Sequence, residues 1–181
     1  MDKRTLDFFK LFLPFAIVIT ALSGLVYVTV QQSYRQSAND PQIQIAEDIA
    51  SLISQGQDPR YYIPQGKVDI SKSLATYVMF FDKNATLIGS SAQLDNKTPA
   101  LPQGVLESAR KEGETRITWQ PKPNVRSAIV VKSYKTGYIV VGRSLREVEI
   151  RVDNLTKTVF AAWFLSLLVT GLSLYIFGKK K

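Results

Sequence analysis

The sequence holds neither cysteine nor histidine. The first absence excludes disulfides and thiol chemistry. The second removes the commonest general base and the commonest metal ligand. No glycine-rich loop of phosphate-cradling form occurs, and no spaced set of metal ligands. A Ser/Lys pair or paired carboxylates remain for catalysis: Glu112 and Glu114 flank a glycine and Asp82 falls in a turn, but nothing sets them apart from ordinary solvated charges. Neither an enzyme nor a cofactor is expected.

Charge is missing from two long stretches. Leu11 to Tyr34 carries none, and Leu11 to Val30 is almost wholly apolar; Thr158 to Gly178 is again uncharged. Twenty helical residues rise about 30 Å, the thickness of a bilayer's hydrocarbon core. Both stretches are therefore expected to be membrane helices. A cleaved signal peptide is the alternative for the first, but apolar character continues through Leu25–Val30, beyond a usual signal core. The second ends in a basic tail but lacks the Leu-Pro-x-Thr-Gly signal of a sorted anchor. The expected division is a tail at 1–10, a span at 11–33, a middle domain at 34–157, a span at 158–178 and a tail at 179–181.

Basic residues near the spans set the orientation. The first ten residues carry Lys3, Arg4 and Lys10, whereas the twenty after Val30 carry Arg35 alone; Lys179, Lys180 and Lys181 close the chain. Arg143, Arg146, Arg151 and Lys157 before the second span weigh the other way. With the first span dominant, both ends are expected on the cytoplasmic side and the middle domain outside, the bilayer being the first partner.

The net charge of +8 invites a nucleic-acid reading. Without the three basic residues at each end and the two acidic ones in the first ten, 17 basic and 13 acidic residues remain, dispersed and without a basic stripe. No nucleic acid is expected.

Within the middle domain, Asn39-Asp-Pro41 reads as a helix start, with Asn39 the cap. Ile43, Ala46, Ala50 and Ile53 make one apolar stripe and Ile45, Ile49 and Leu52 its neighbour, a wide face that should lie on a sheet. A loop rich in proline and glycine, Gln57 to Ser73, follows. Tyr77–Phe81 and Leu87–Ser91 read as two strands about a tight turn. A second helix is expected between Pro102 and Gly113. Strands follow at Glu114–Trp119, Arg126–Ser133 and Tyr138–Arg143. Ala128–Val131 and Tyr138–Val141 are apolar on successive residues, so both faces of the sheet should be covered.

The order is helix, two strands, helix, three strands, helix, and the fold class is α+β with an antiparallel sheet and flanking helices. Tyr77-Val-Met-Phe-Phe-Asp-Lys-Asn-Ala-Thr-Leu-Ile-Gly-Ser-Ser91 looks like the hairpin of the PAS-like extracytoplasmic sensor domains (the Cache group) of bacterial histidine kinases and chemoreceptors. Asn84-Ala85 stands where Asn-Gly or Asp-Gly is usual. The resemblance covers about Asp40 to Asp153. It implies a PAS-like sheet and a sensing role, with a small carboxylate, amino acid or other small molecule held between sheet and loops. No ligand-binding signature of such families matches residue by residue.

Trp119 and Arg126 flank a proline-stiffened turn, and a guanidinium beside an aromatic wall suits a carboxylate, whose two oxygens the fork can bind. The alternative is a surface turn, with Trp119 filling the core and Arg126 paired to a domain carboxylate. Tyr61 and Tyr62 are candidates for a pocket lid.

Ser144-Leu-Arg-Glu147 has the form of a capping box and starts a helix directly after the last strand. No glycine or proline interrupts Leu145 to Thr170. One rigid helix is expected to run from the sheet into the bilayer and carry movement with it. Leu145, Val148, Val152, Leu155 and Val159 alternate spacings of three and four, as in a coiled-coil seam. They either join a homodimer or pack on the protein's own domain. The chain is thus expected to be a membrane-anchored sensing module that signals through a separate sensor kinase or transporter. The second reading is a structural or assembly subunit that uses the same domain for docking; a third is a longer sensor kinase cut short.

Overall fold

The computed structural model describes residues 3–102 and 104–178. The expected lysine anchor, Lys179–Lys181, lies outside them. Two compact units emerge: one holds the chain up to Tyr34 and from Ile150 on, the other is Arg35–Glu149. Residues 150–157, expected in the middle domain, thus group with the helices.

The first unit is an antiparallel helix pair. Helix α1 (Lys3–Ser37) contains Pro14 and ends with Arg35 in its last turn. Helix α4 (Arg146–Gly178) runs without a break for 33 residues, about 50 Å. Each carries a stretch long and apolar enough to cross a membrane. The Trp163 indole donates to Thr20 Oγ1 at 3.0 Å, Thr156 Oγ1 donates to the Tyr27 hydroxyl at 3.4 Å, and Gly171 faces the Phe12 ring. From Phe12 to Thr20 to Tyr27 the contacts advance eight and then seven residues on α1 and retreat equally on α4. That step is two helical turns. Val152, Leu155, Val159 and Trp163 are the half-buried positions of this stretch of α4. Thr156 and Trp163, beside the predicted seam, thus bond to α1 of the same chain, whereas Leu145 and Val148 of the seam belong to the unit of the sheet.

The second unit is a five-stranded antiparallel sheet in the order β3-β2-β7-β6-β5, from β2 (Tyr77–Asp82), β3 (Leu87–Ser90), β5 (Glu114–Lys122), β6 (Val125–Tyr134) and β7 (Gly137–Ser144). A parallel ribbon of β1 (Val68–Asp69) and β4 (Ala92–Gln93) stands apart. The continuous apolar strands are covered on both faces, as expected. Alternate residues divide between them: Met79, Ile129, Val131 and Val140 join one core, and Val78, Phe80, Val130, Ile139 and Val141 the other.

Helix α2 (Asp40–Ser54) lies on the second of these cores, burying Ala46, Ala50 and Ile53 and laying Ile43, Ile45 and Ile49 against the sheet. Its predicted cap differs. Asn39 is helical (φ −95°, ψ −19°) and its side chain bonds no backbone amide, because only a two-residue turn separates α2 from α1. Helix α3 (Val105–Glu112) lies on the other face. It starts at left-handed Gly104, not at Pro102. Strand β5 runs on through Pro121 and shifts register between Trp119 and Lys122. An edge strand tolerates the missing amide there. At the start of α4, Ser144 Oγ accepts the Arg146 amide at 3.3 Å and Leu145 stands before the first helical residue. The hydroxyl thus holds an amide one residue before Glu147, the partner a capping box requires.

Candidate functional site

The two faces of the sheet are covered unequally. Eight-residue α3 is about 12 Å long and packs on β5 and β6; fifteen-residue α2 is about 22 Å long and packs on β6 and β7. On the α3 side, the half made of β2 and β3 is left to the β1–β4 ribbon and the loop before α3. There a cavity of about 530 Å³ opens, within the range of small-molecule sites.

Met79, Phe81 and Leu87 form the floor of this cavity, Thr98, Pro99, Ala100, Leu101 and Pro102 come from the loop, and Leu106 and Glu107 from α3. Ala85 contributes from the β2–β3 turn. That turn is held by Asp82 Oδ1, which accepts the Asn84 and Thr86 amides, both at 2.8 Å. Ala85 has φ 62°, a left-handed conformation that favours glycine. The two loop prolines fix φ, so the wall over Met79 and Phe81 is stiff. Among the described lining residues the only ionisable side chain is Glu107, paired with Lys111 at 3.2 Å and Arg110 at 3.8 Å.

The predicted site residues are not brought together. Trp119 is buried in the core under α3, as is Val125. Arg126 alternates to the other face of the sheet, where its Nη1 meets Glu149 Oε1 at 2.6 Å. An aromatic wall and a guanidinium on opposite faces cannot grip one carboxylate. Tyr61 is 84% exposed. Tyr62 packs half-buried against the α2-face core and donates to Gln57 Oε1, so neither tyrosine lines the cavity.

Arg126 instead belongs to a set of bonds on the first turn of α4. The Leu145 amide donates to the Arg126 carbonyl at 2.8 Å, Arg126 holds Glu149, and Arg146 Nη2 donates to the Lys72 carbonyl at 2.8 Å. Two neighbouring strands thus separate the cavity floor from this helix start: β2, which carries Met79 and Phe81, pairs with β7 over six residues, and β7 leads into α4.

The cavity escaped the sequence reading. Its signal was Pro99-Ala-Leu-Pro102, a stiff apolar stretch that a solvated loop does not need; the sequence reading used only its second proline. Among the described residues no group of three or more acidic side chains is placed to hold a metal ion. Comparison with family models, curated proteins and solved structures returned no match.

Proposed function

We propose that the chain is a membrane-anchored, extracytoplasmic small-molecule-sensing module of PAS-like fold, which passes its response through α4 to a separate sensor kinase or transporter in the membrane. The observation that carries this reading is the cavity over β2 and β3, two strands from the helix that leaves the sheet. A ligand seated on Met79 and Phe81 biases β2. The six-residue ladder between β2 and β7 passes that bias to the first turn of α4, which Arg126 and Arg146 tie to the domain. The orientation, both ends cytoplasmic, rests on the basic residues before the first span and after the second.

The test has two arms. The full chain in lipid nanodiscs is screened for thermal stabilisation by small molecules, since a ligand that binds only the native state raises its apparent stability. The intact protein is also purified in mild detergent and its companions are identified by mass spectrometry. A stabilising compound together with a stoichiometric kinase or transporter is the expected result. A companion without any stabilising compound favours the assembly-subunit reading, and neither result sinks both.

A further inference from the structure

We propose that the cavity over β2 and β3 takes an uncharged, largely apolar molecule, not a carboxylate. The inference rests on the sensing reading above and names the ligand class of that site. Among the described residues that line it, none is basic, so a buried carboxylate would find no cation to offset its lost hydration. The one charge among the described lining residues is Glu107, an anion whose cationic partners Lys111 and Arg110 do not line the cavity. The guanidinium that the sequence offered as a carboxylate fork, Arg126, lies on the other face of the sheet and is engaged by Glu149. What remains is a floor of Met79, Phe81 and Leu87 and a wall of Leu101 and Leu106. These surfaces reward apolar contact, and methionine adapts to irregular shapes. Thr98 is the one neutral polar side chain among the described lining residues, and a hydroxyl suits an alcohol, ether or amide oxygen.

The absence of cysteine makes a clean test. Ala100 is exposed at the cavity wall and Ser51 is exposed on α2, so each has room for a cysteine. Single variants Ala100→Cys and Ser51→Cys of the full chain in nanodiscs are labelled with a charged maleimide, with 1-octanol or octanoate at equal aqueous concentration. The expected result is several-fold slower labelling of Ala100→Cys in octanol alone, with Ser51→Cys unaffected by either. Protection by octanoate equal to or better than octanol overturns the ligand class and leaves the sensing reading intact. No protection at Ala100→Cys, or equal slowing at Ser51→Cys, overturns the assignment of the cavity, and the thermal screen then decides the sensing reading independently. Leu87 is 40% exposed on the edge strand and accepts a charge without loss of the core. Adding Leu87→Arg to the Ala100→Cys chain should reverse the order, so that octanoate protects. An unchanged order would show that Leu87 does not face the occupant and would overturn the proposal.

Discussion

One face of the sheet is closed by a long helix and the other is half open under a short one. Helix α2 and residues Tyr62 and Ile63 seal Val78, Phe80, Val130, Ile139 and Val141. On the α3 side, the core around Trp119 and Ile129 is equally buried, but Met79, Phe81 and Leu87 face a cavity. Each helix packs on two strands, so the difference lies in what covers β2. On the α2 face Tyr62 and Ile63 close over it, whereas on the α3 face a proline-stiffened loop leaves a gap. Stability and binding can then be divided between the faces of one sheet.

The largest expected effect tests that division directly. Phe80 is fully buried on the α2 face, and Phe80→Ala should cost about 3–5 kcal/mol. Leu106→Ala, beside the cavity and only half-buried, should cost about 1 kcal/mol, because little apolar area leaves its neighbours. Denaturant unfolding of the full chain, followed by near-ultraviolet circular dichroism, compares the two. Equal losses would mean that the cavity side is as tightly closed as the other.

Gly142 supplies the next effect. It sits on β7 opposite Tyr77, and a Cβ added there would lie 2.3 Å from Tyr77 Cζ. The hydroxyl end of the ring lies over the glycine and Tyr77 is fully buried, so it has little room to retreat. Gly142→Ala should destabilise by about 1–3 kcal/mol, the usual range for overpacking. Thermal unfolding within a few degrees of the parent would show that the ring can move.

Tyrosines on the two faces separate them by pH. Tyr77, on the α3 face, has a hydroxyl that faces Ser127 without the geometry of a hydrogen bond, and burial pushes its pKa well above the ordinary 10.0. Tyr134, on the α2 face, is raised to about 12 by burial and by the negative charges of Asp58 and Asp82. A raised tyrosine pKa means that the unfolded chain gives up its proton first. The contribution is whole below pH 10 and falls as pH rises from 10 to about 12 for Tyr134, and beyond that for Tyr77. Tyr134→Phe and Tyr77→Phe should each flatten the alkaline loss of stability. At neutral pH, Tyr77→Phe should be neutral or slightly stabilising, because it removes a buried hydroxyl that lacks a partner. A marked loss at pH 7 would show that the Tyr77 hydroxyl is bonded after all.

What the sequence disclosed has the same division. Period and composition marked the two apolar helices, the α2 stripe and the doubly covered strands, because burial on a regular element leaves a regular pattern. The β2–β3 turn was legible although Ala85 stands in a left-handed position, since Asp82 holds the turn through two amides. The site was not legible in the same way. Trp119 and Arg126 are near in sequence, but strand alternation sends them to opposite faces, and a turn cannot override that period. The seam on α4 was visible as a pattern, yet a pattern does not say which helix answers it. Beside it, Trp163 and Thr156 bond to Thr20 and Tyr27 of α1, more than a hundred residues earlier. The cavity left no periodic trace because it lies under a loop.

The smallest expected effect is at Arg126, on the face away from the cavity, where it holds the helix start. Arg126 and Glu149 are each about half exposed, at 46% and 45% of their side-chain surface, so water screens their attraction. Arg126→Ala should cost about 0.2–1 kcal/mol, and a double-mutant cycle with Glu149→Ala should return a coupling of that size. At 1 M salt, where the screening length falls to about 3 Å, the coupling should vanish. Octanol should still protect Ala100→Cys in the Arg126→Ala chain, changed at most by the small coupling that runs through β2 and β7, because the guanidinium lies on the other face and touches no cavity residue. Complete loss of octanol protection in that variant would mean that Arg126 supports the cavity itself. The bonds on the first turn of α4 would then be part of the binding site and not only its attachment to the helix.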